Sequence, residues 1–85
     1  MKKIFVTRRL LKENENKLKD LFKPILNSND RIYSATEIID GSKDCDGILS
    51  SVTDPINADT ILKLSNKIKI IAVIKFFFFL FIRLI

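Results

Sequence analysis

Histidine is absent from this 85-residue sequence, glycine occurs twice and cysteine occurs once. Without histidine, the chain has no imidazole for acid–base catalysis, for a Ser-His or Cys-His pair, or for a metal ligand. Gly41 and Gly47 are too few for a G-x-G-x-x-G dinucleotide turn or a Walker-type phosphate loop. Cys45 alone excludes an intrachain disulfide and a cysteine-rich zinc site. The sequence therefore predicts no catalytic residue, no metal ligand and no cofactor-binding residue within the chain.

The formal net charge of +5 is unevenly distributed. Residues 1–9 and residues 67–85 each carry +4, whereas residues 24–66 sum to −4. The basic residues are not gathered on one helix or loop, and aromatic residues are interleaved with them only in the last ten residues. We therefore predict no nucleic-acid binding. A single unpaired cysteine fits a reducing compartment, so a cytoplasmic location is expected.

Apolar runs that favour strands alternate with signals for helices. Strands are predicted near residues 2–7, 25–26, 46–51 and 67–74, and helices near residues 10–23, 35–43 and 58–65. The first helix carries one apolar stripe made of Leu11, Leu18, Leu21 and Phe22. Pro24 is predicted to end that helix, Ser34 and Glu37 form a capping box for the second, and Asn57 caps the third. Alternation with short connections predicts an α/β fold with a parallel sheet.

Ligands of open parallel sheets bind at the carboxyl ends of the strands. The candidate loops are Thr7-Arg8-Arg9 after the first strand and residues 50–54 after the next long strand. In one interpretation, Arg8 or Arg9 pairs with an anionic ligand. In the other, both arginines are solvated loop residues and Thr53-Asp54-Pro55 is an ordinary turn. The sequence leaves both interpretations open.

Residues 68–85 form the most apolar segment of the chain, interrupted by Lys69, Lys75 and Arg83. Residues 76–79 are four consecutive phenylalanines. A membrane-spanning helix needs about 20 apolar residues, so a membrane anchor over residues 68–85 is an alternative to the cytoplasmic location. The N-terminus has no apolar region of the kind found in signal peptides, and none is predicted.

Several segments together resemble a known enzyme family. Lys3–Leu10, which reads KIFVTRRL, is similar to the opening of D-isomer-specific 2-hydroxyacid dehydrogenases of the glyoxylate/hydroxypyruvate reductase type. Cys45–Asp54, which reads CDGILSSVTD, resembles the next long strand and loop of that family. Residues 56–59 and 68–72 continue in the same order. The resemblance covers about residues 2–72.

The resemblance implies a partial flavodoxin-like (Rossmann-like) parallel sheet, with residues 1–72 forming an incomplete substrate domain. Val52 and Thr53 would lie near the substrate, a small 2-oxo or 2-hydroxy acid such as glyoxylate or hydroxypyruvate. Full-length members are homodimers, and they bind NAD(P) through a second domain that also supplies the catalytic Arg, Glu and His. Because the 85 residues contain no counterpart of that domain, we expect the chain to bind no NAD(P) and to be inactive by itself.

The sequence departs from the family after Ala72. The family continues into an Asn-aromatic-small-Val-Gly loop that holds the substrate carboxylate, whereas Val73-Ile74-Lys75-Phe76 stands here. We interpret residues 73–85 as an apolar tail produced by truncation or a frameshift in an A/T-rich stretch. Such a tail would either extend the fourth strand or lie exposed. Two other functions stay open, a small membrane-anchored α/β protein and a stand-alone anion-binding module.

Overall fold

A five-stranded sheet forms the centre of the computed structural model, which describes residues 1–75 and 78–83. In chain order the elements are β1 Lys3–Val6, α1 Lys12–Leu21, β2 Lys23–Ile25, α2 Ala35–Gly41, β3 Gly47–Ser51, α3 Ala58–Lys63, β4 Ile70–Lys75 and β5 Phe78–Arg83. The strand order is β2-β1-β3-β4-β5, in which the first four strands are parallel and β5 runs antiparallel to β4. The predicted α/β fold with a parallel sheet is confirmed.

Local side-chain hydrogen bonds start the second and third helices, as predicted. The Ser34 hydroxyl accepts a hydrogen bond from the backbone N–H of Glu37 at 3.2 Å, and the Glu37 carboxylate accepts one from the backbone N–H of Ser34 at 3.0 Å. This reciprocal pair is a capping box. At α3, Asn57 Oδ1 accepts a hydrogen bond from the backbone N–H of Thr60 at 3.0 Å. Both caps satisfy N–H groups that have no partner inside the helix.

Pro24 does not itself end the first helix. Helix α1 ends at Leu21, because the backbone of Phe22 is extended, and Pro24 lies inside β2. A proline is tolerated there because β2 is an edge strand, which pairs with β1 alone among the described residues. The predicted strand at residues 25–26 is thus shifted toward the N-terminus.

The face of the sheet that carries Phe5, Ile48 and Ile71, here called the α2/α3 face, holds the larger core. Its buried residues are Phe5, Ile38, Cys45, Ile48, Leu64, Ile68 and Ile71. Ile38, from α2, is fully buried against the sheet. Gly41 lies at the end of α2, where an added Cβ would come within 2.6 Å of the Phe5 ring. Glycine therefore allows α2 to approach β1 closely.

The opposite face, here called the α1 face, carries Ile4, Leu49 and Ala72 and packs against α1. No residue of α1 is buried, and Leu21 is 67% exposed. Between α1 and the sheet lies a groove of about 620 Å³ lined mainly by apolar side chains. The predicted apolar stripe of α1 therefore exists, but Leu11 and Leu21 remain largely exposed to solvent.

The chain continues as strand beyond residue 72, where the family resemblance ends. Strand β4 ends at Lys75, one residue beyond the predicted strand. Residues 78–83 form β5, an antiparallel strand that the sequence did not predict, so this part of the tail pairs beside the fourth strand instead of extending it. Residues 76, 77, 84 and 85 of the predicted tail lie outside the described residues. Across residues 1–75 and 78–83, no helix has the length and apolar character needed to cross a membrane.

Candidate functional site

The loops after β1, β2 and β3 meet at one edge of the sheet, because parallel strands end on the same side. Polar side chains from the three loops form a hydrogen-bonded network, here called the strand-end cluster. Its members are Thr7, Arg8, Asp30, Ser51, Thr53 and Asp54. The two loops predicted from the sequence as candidates are therefore brought together, and the loop after β2 joins them.

Asp54 fixes the loop that follows β3. Its Oδ2 accepts a hydrogen bond from the backbone N–H of Ser51 at 2.7 Å and another from the Ser51 hydroxyl at 3.2 Å. The same oxygen accepts a hydrogen bond from the hydroxyl of Thr7, a side chain that is fully buried. The loop is a turn, with Asp54 N–H bonded to the Ser51 carbonyl. The Asp54 side chain additionally ties this turn to the end of β1.

Val52 and Thr53, the residues predicted to lie near the substrate, form the tip of this loop. Both side chains are exposed, Val52 by 59%. Thr53 Oγ1 lies 2.9 Å from Ser51 Oγ and accepts a hydrogen bond from Arg8 Nη1 at 3.4 Å. Thr53 thus connects the loop after β3 to the loop after β1. The role of Val52 and Thr53 toward a substrate stays a prediction.

Asp30 engages Arg8 through two hydrogen bonds. Arg8 Nε donates to Asp30 Oδ1 at 2.9 Å, and Arg8 Nη2 donates to Asp30 Oδ2 at 3.2 Å. The backbone N–H of Arg9 also donates to Asp30 Oδ1, at 2.9 Å. The hydrogen bond from Arg8, followed by that from the Arg9 backbone, lowers the pKa of Asp30 to about 2. Asp30 is therefore ionised at neutral pH, and Arg8 is not a free cation.

The loop after β2 is shaped to present Asp30. Asp30 has φ of 51°, a left-handed conformation that Asp and Asn adopt more readily than most residues. Asn27, which is 4% exposed, donates from Nδ2 to the carbonyls of Thr7 at 2.9 Å and Arg31 at 2.7 Å. These bonds fix the turn to the end of β1. The sequence did not single out Asp30 or Asn27, and the only available signal was a polar turn after an apolar pair.

Cys45 and the two glycines lie outside the strand-end cluster. Burial raises the pKa of the Cys45 thiol, and the side chain is fully buried, so it is a poor nucleophile in the folded chain. Gly41 and Gly47 lie in α2 and β3 rather than in a phosphate-binding loop. Among the side chains that the structure describes, no group of three or more Asp, Glu, Cys or His is placed to hold a metal ion.

Comparisons with known proteins bear on the fold. No protein-family model and no curated protein matches the sequence. A solved structure of a D-isomer specific 2-hydroxyacid dehydrogenase, NAD-binding, from Polaromonas sp. JS6 66 superposes with a TM-score of 0.83 over 92% of this chain, at 24% sequence identity. This chain spans 24% of the length of that protein. The predicted resemblance is thus confirmed at the level of the fold: residues of this chain adopt the α/β architecture of part of a D-2-hydroxyacid dehydrogenase.

Proposed function

We propose that this chain is part of the substrate domain of an NAD(P)-dependent D-2-hydroxyacid dehydrogenase, and that its strand-end cluster faces a small 2-oxo acid such as glyoxylate or hydroxypyruvate. The match in fold over nearly the whole chain carries this proposal. The position of Val52 and Thr53 supports it, because they project from the carboxyl end of a parallel strand, where ligands bind in open α/β sheets.

The residues of the cluster have different tasks in this proposal. The Thr53 hydroxyl is exposed and can donate a hydrogen bond to the 2-oxygen of the acid. Val52 offers an apolar contact beside it. Asp54 and Thr7 are positioning residues, because their hydrogen bonds fix the backbone that carries both exposed side chains.

Hydride transfer requires groups that the strand-end cluster does not contain. Reduction of a 2-oxo acid requires a nicotinamide and a group that protonates the carbonyl oxygen. The family supplies these from a glycine-rich nucleotide domain and a histidine that have no counterpart among the 85 residues. We infer that the chain alone is inactive. The expected cytoplasmic location, and the homodimer that family members form, would apply to the complete enzyme.

A stand-alone anion-binding module is the second candidate. The observation that favours it is the position of Arg8, whose guanidinium lies at the candidate edge and donates to Thr53. A general anion-binding module would bind sulfate as tightly as a 2-hydroxy acid. The substrate-domain proposal instead expects a preference for acids that carry an oxygen on carbon 2.

The proposal is tested by titrating the purified chain with glycolate and following backbone amides by NMR. We expect shifts at Val52, Thr53 and their neighbours, and weaker shifts with acetate, which lacks the 2-hydroxyl. Thr53→Val should reduce the response to glycolate and leave the response to acetate unchanged. The matched control is Thr36→Val, an exposed threonine on α2. The proposal is wrong if glycolate shifts no amide of this loop, or if acetate shifts it equally.

A parallel assay tests the inactivity of the chain. The purified chain is mixed with NADH or NADPH and with glyoxylate or hydroxypyruvate, and cofactor oxidation is followed by absorbance. We expect no oxidation above the protein-free rate. Turnover that copurifies with the chain and disappears in the Asp54→Ala variant would contradict the inference that the chain alone is inactive.

A further inference from the structure

We propose that β5 pairs in antiparallel orientation with β5 of a second copy of this chain, so that two sheets join into one closed dimer. The inference comes from the strand order and from the sequences of the two edge strands, and it does not rest on the proposed function. Strand β5 lies beyond residue 72, where the family resemblance ends. The pairing is therefore a different contact from the homodimer expected of the complete enzyme.

Among the described residues, the sheet has two edges, β2 and β5. An edge strand presents backbone N–H and C=O groups without partners, and these form a template on which another strand can pair. Proteins often prevent such pairing with a short edge strand, a proline or a lysine. Strand β2 has all three features, since it consists of Lys23, Pro24 and Ile25.

The position of Pro24 blocks the β2 edge. The backbone N–H of Lys23 donates to the carbonyl of Lys2 at 2.8 Å, so the backbone of Lys23 faces β1. Successive residues of a strand direct their backbone groups to opposite neighbours, and Pro24 therefore faces away from β1. Proline has no N–H to donate. The three residues of β2 consequently offer no backbone donor on their outer side.

Strand β5 has none of these protective features. It is six residues long, and its sequence FFLFIR contains no proline, glycine or lysine. Strand β4 takes the backbone hydrogen bonds of alternate residues in an antiparallel pair, and the remaining residues of β5 direct both N–H and C=O outward. Those groups pair with no other strand among the described residues. The β5 edge can therefore accept a further strand by β-augmentation.

The distribution of charge favours a second β5 as the partner, in antiparallel orientation. Arg83 is the only charged residue of β5, and it stands at the C-terminal end. Parallel pairing of two copies would place the two Arg83 residues side by side, and like charges in that arrangement are destabilising. Antiparallel pairing centred between Leu80 and Phe81 uses all six residues and places Arg83 of each copy opposite Phe78 of the other. The strand is thus compatible with itself in the antiparallel register.

The difference between the two edges also limits the size of the assembly. Antiparallel pairing about a two-fold axis uses the β5 edge of both copies. The outer edges of the joined sheet are then the two β2 strands, which Pro24 blocks. A contact of this kind closes on itself, whereas a chain with two competent edges would form fibres.

The proposed contact leaves the strand-end cluster open. The loops of the cluster follow β1, β2 and β3, and both β4 and β5 lie between β3 and the second copy. Neighbouring strands are separated by about 4.8 Å. Val52 and Thr53 therefore stay exposed in the dimer, and the glycolate titration can be made on either the monomer or the dimer.

The first test measures the mass of the full chain in solution by sedimentation equilibrium over a range of concentrations. We expect a species of twice the 9.8 kDa mass of the chain, with no larger assembly. Leu80→Lys places a lysine near the two-fold axis in each copy, and we expect the mass to fall to that of the monomer. The matched control is Ile25→Lys on the β2 edge, where the residue is 45% exposed, and it should stay dimeric. Circular dichroism checks that both variants keep the fold.

Disulfide trapping tests the orientation without disrupting the strand. In the proposed register, residue 79 of one copy lies opposite residue 82 of the other, close enough for a disulfide. We expect oxidation to link a mixture of the Phe79→Cys and Ile82→Cys variants, and to link neither variant alone. Cys45 is fully buried, so the intact chain should give no linked product and serves as the control. This test also stands if Leu80→Lys does not fold.

Three results would overturn the inference. The first is a chain that stays monomeric at all concentrations, and the second is an assembly that grows beyond the dimer as concentration rises. The third is a disulfide formed by Phe79→Cys alone, which would indicate parallel pairing. A monomeric chain whose Val52 and Thr53 amides still respond to glycolate would overturn the pairing and leave the proposed function standing. A dimer without that response would do the reverse.

Discussion

The two faces of the sheet differ in how completely the described residues cover them. On the α2/α3 face, Ile38, Ile48 and Ile71 are each at most 1% exposed. On the α1 face, no residue of α1 is buried, and Ile70 is 37% exposed beside the open groove. Two helices pack on the first face and one on the second. The stability of the described residues is therefore expected to depend mainly on the α2/α3 face.

The two faces also show that an amphipathic pattern in the sequence does not by itself predict burial. Helix α1 is the longest helix of the described residues, yet two of the four residues in its predicted apolar stripe, Leu11 and Leu21, are 64% and 67% exposed. Helix α2 is shorter but contributes the fully buried Ile38. Periodicity indicates which side of a helix is apolar, whereas burial requires that other elements of the fold cover that side.

Truncating an apolar side chain on each face is expected to have the largest and most different effects on stability. We expect Ile38→Ala to lower the free energy of unfolding by about 2–5 kcal/mol, because it removes buried area and leaves a closed cavity. Leu18→Ala on α1 should cost about 1 kcal/mol, since it only enlarges an open groove. Urea unfolding followed by circular dichroism measures both. If Ile38→Ala is unfolded, Ile38→Val provides a smaller truncation. Equal losses of stability on the two faces would contradict the expectation that the α2/α3 face contributes more.

A second substitution tests whether the buried hydroxyl of Thr7 holds the loop after β3 in place. Thr7→Val removes a buried hydroxyl that donates to Asp54, and we expect a loss of about 1–2 kcal/mol. The loop after β3 should also open more often, which would appear as faster hydrogen exchange of the Ser51 amide. Thr53→Val, at an exposed position, is the control and should change stability by at most about 0.5 kcal/mol. Unchanged exchange at Ser51 would argue against a positioning role for Thr7.

Small-to-large substitutions test how tightly each face is packed. Gly41→Ala gains up to about 1 kcal/mol of helix propensity but forces a methyl group toward the Phe5 ring, which costs about 1–3 kcal/mol. We expect a net destabilisation of about 1 kcal/mol in urea unfolding. Ala72→Val, which projects into the groove of the α1 face, should be nearly neutral. A stabilised Gly41→Ala variant would show that the α2/α3 face is less tightly packed than described.

The smallest expected effect is a pH-dependent change in stability that comes from Glu37, in the first turn of α2. The hydrogen bond from Arg31, followed by that from the Ser34 backbone, lowers the pKa of Glu37 to about 2 from an ordinary value of 4.5. A carboxyl group whose pKa is lower in the folded chain stabilises folding above its unfolded pKa. That contribution is lost as the pH falls from about 4.5 toward 2.

Glu37→Gln provides the measurement for this effect. Glutamine can replace glutamate in a capping box, so the variant keeps the cap and loses the ionisation. Chemical unfolding at several pH values should therefore show a shallower loss of stability in acid for Glu37→Gln than for the unchanged chain. Parallel acid profiles for the two proteins would indicate that the ion pair with Arg31 does not form in solution.

Much of the site could be expected from the sequence, but its electrostatics could not. Thr7-Arg8 and the loop ending at Asp54 were expected to converge, because both follow strands of a parallel sheet. Asp30 was not expected, since its contact with Arg8 depends on β2 pairing beside β1 and on a left-handed residue in the following turn. The sequence consequently left open whether Arg8 is free or paired, and the structure pairs it with Asp30.

Local chemistry accounts for the features that the sequence could establish. The absence of histidine and the scarcity of glycine exclude classes of site whatever the fold, and the caps at Ser34 and Asn57 depend on residues three positions apart. The tertiary structure decided the partner of Arg8, the open groove on the α1 face and the antiparallel direction of β5. The partner of Arg8 and the groove depend on contacts between residues far apart in sequence, which no local pattern of side chains specifies. The direction of β5 depends on its pairing with β4, which precedes it directly in the chain.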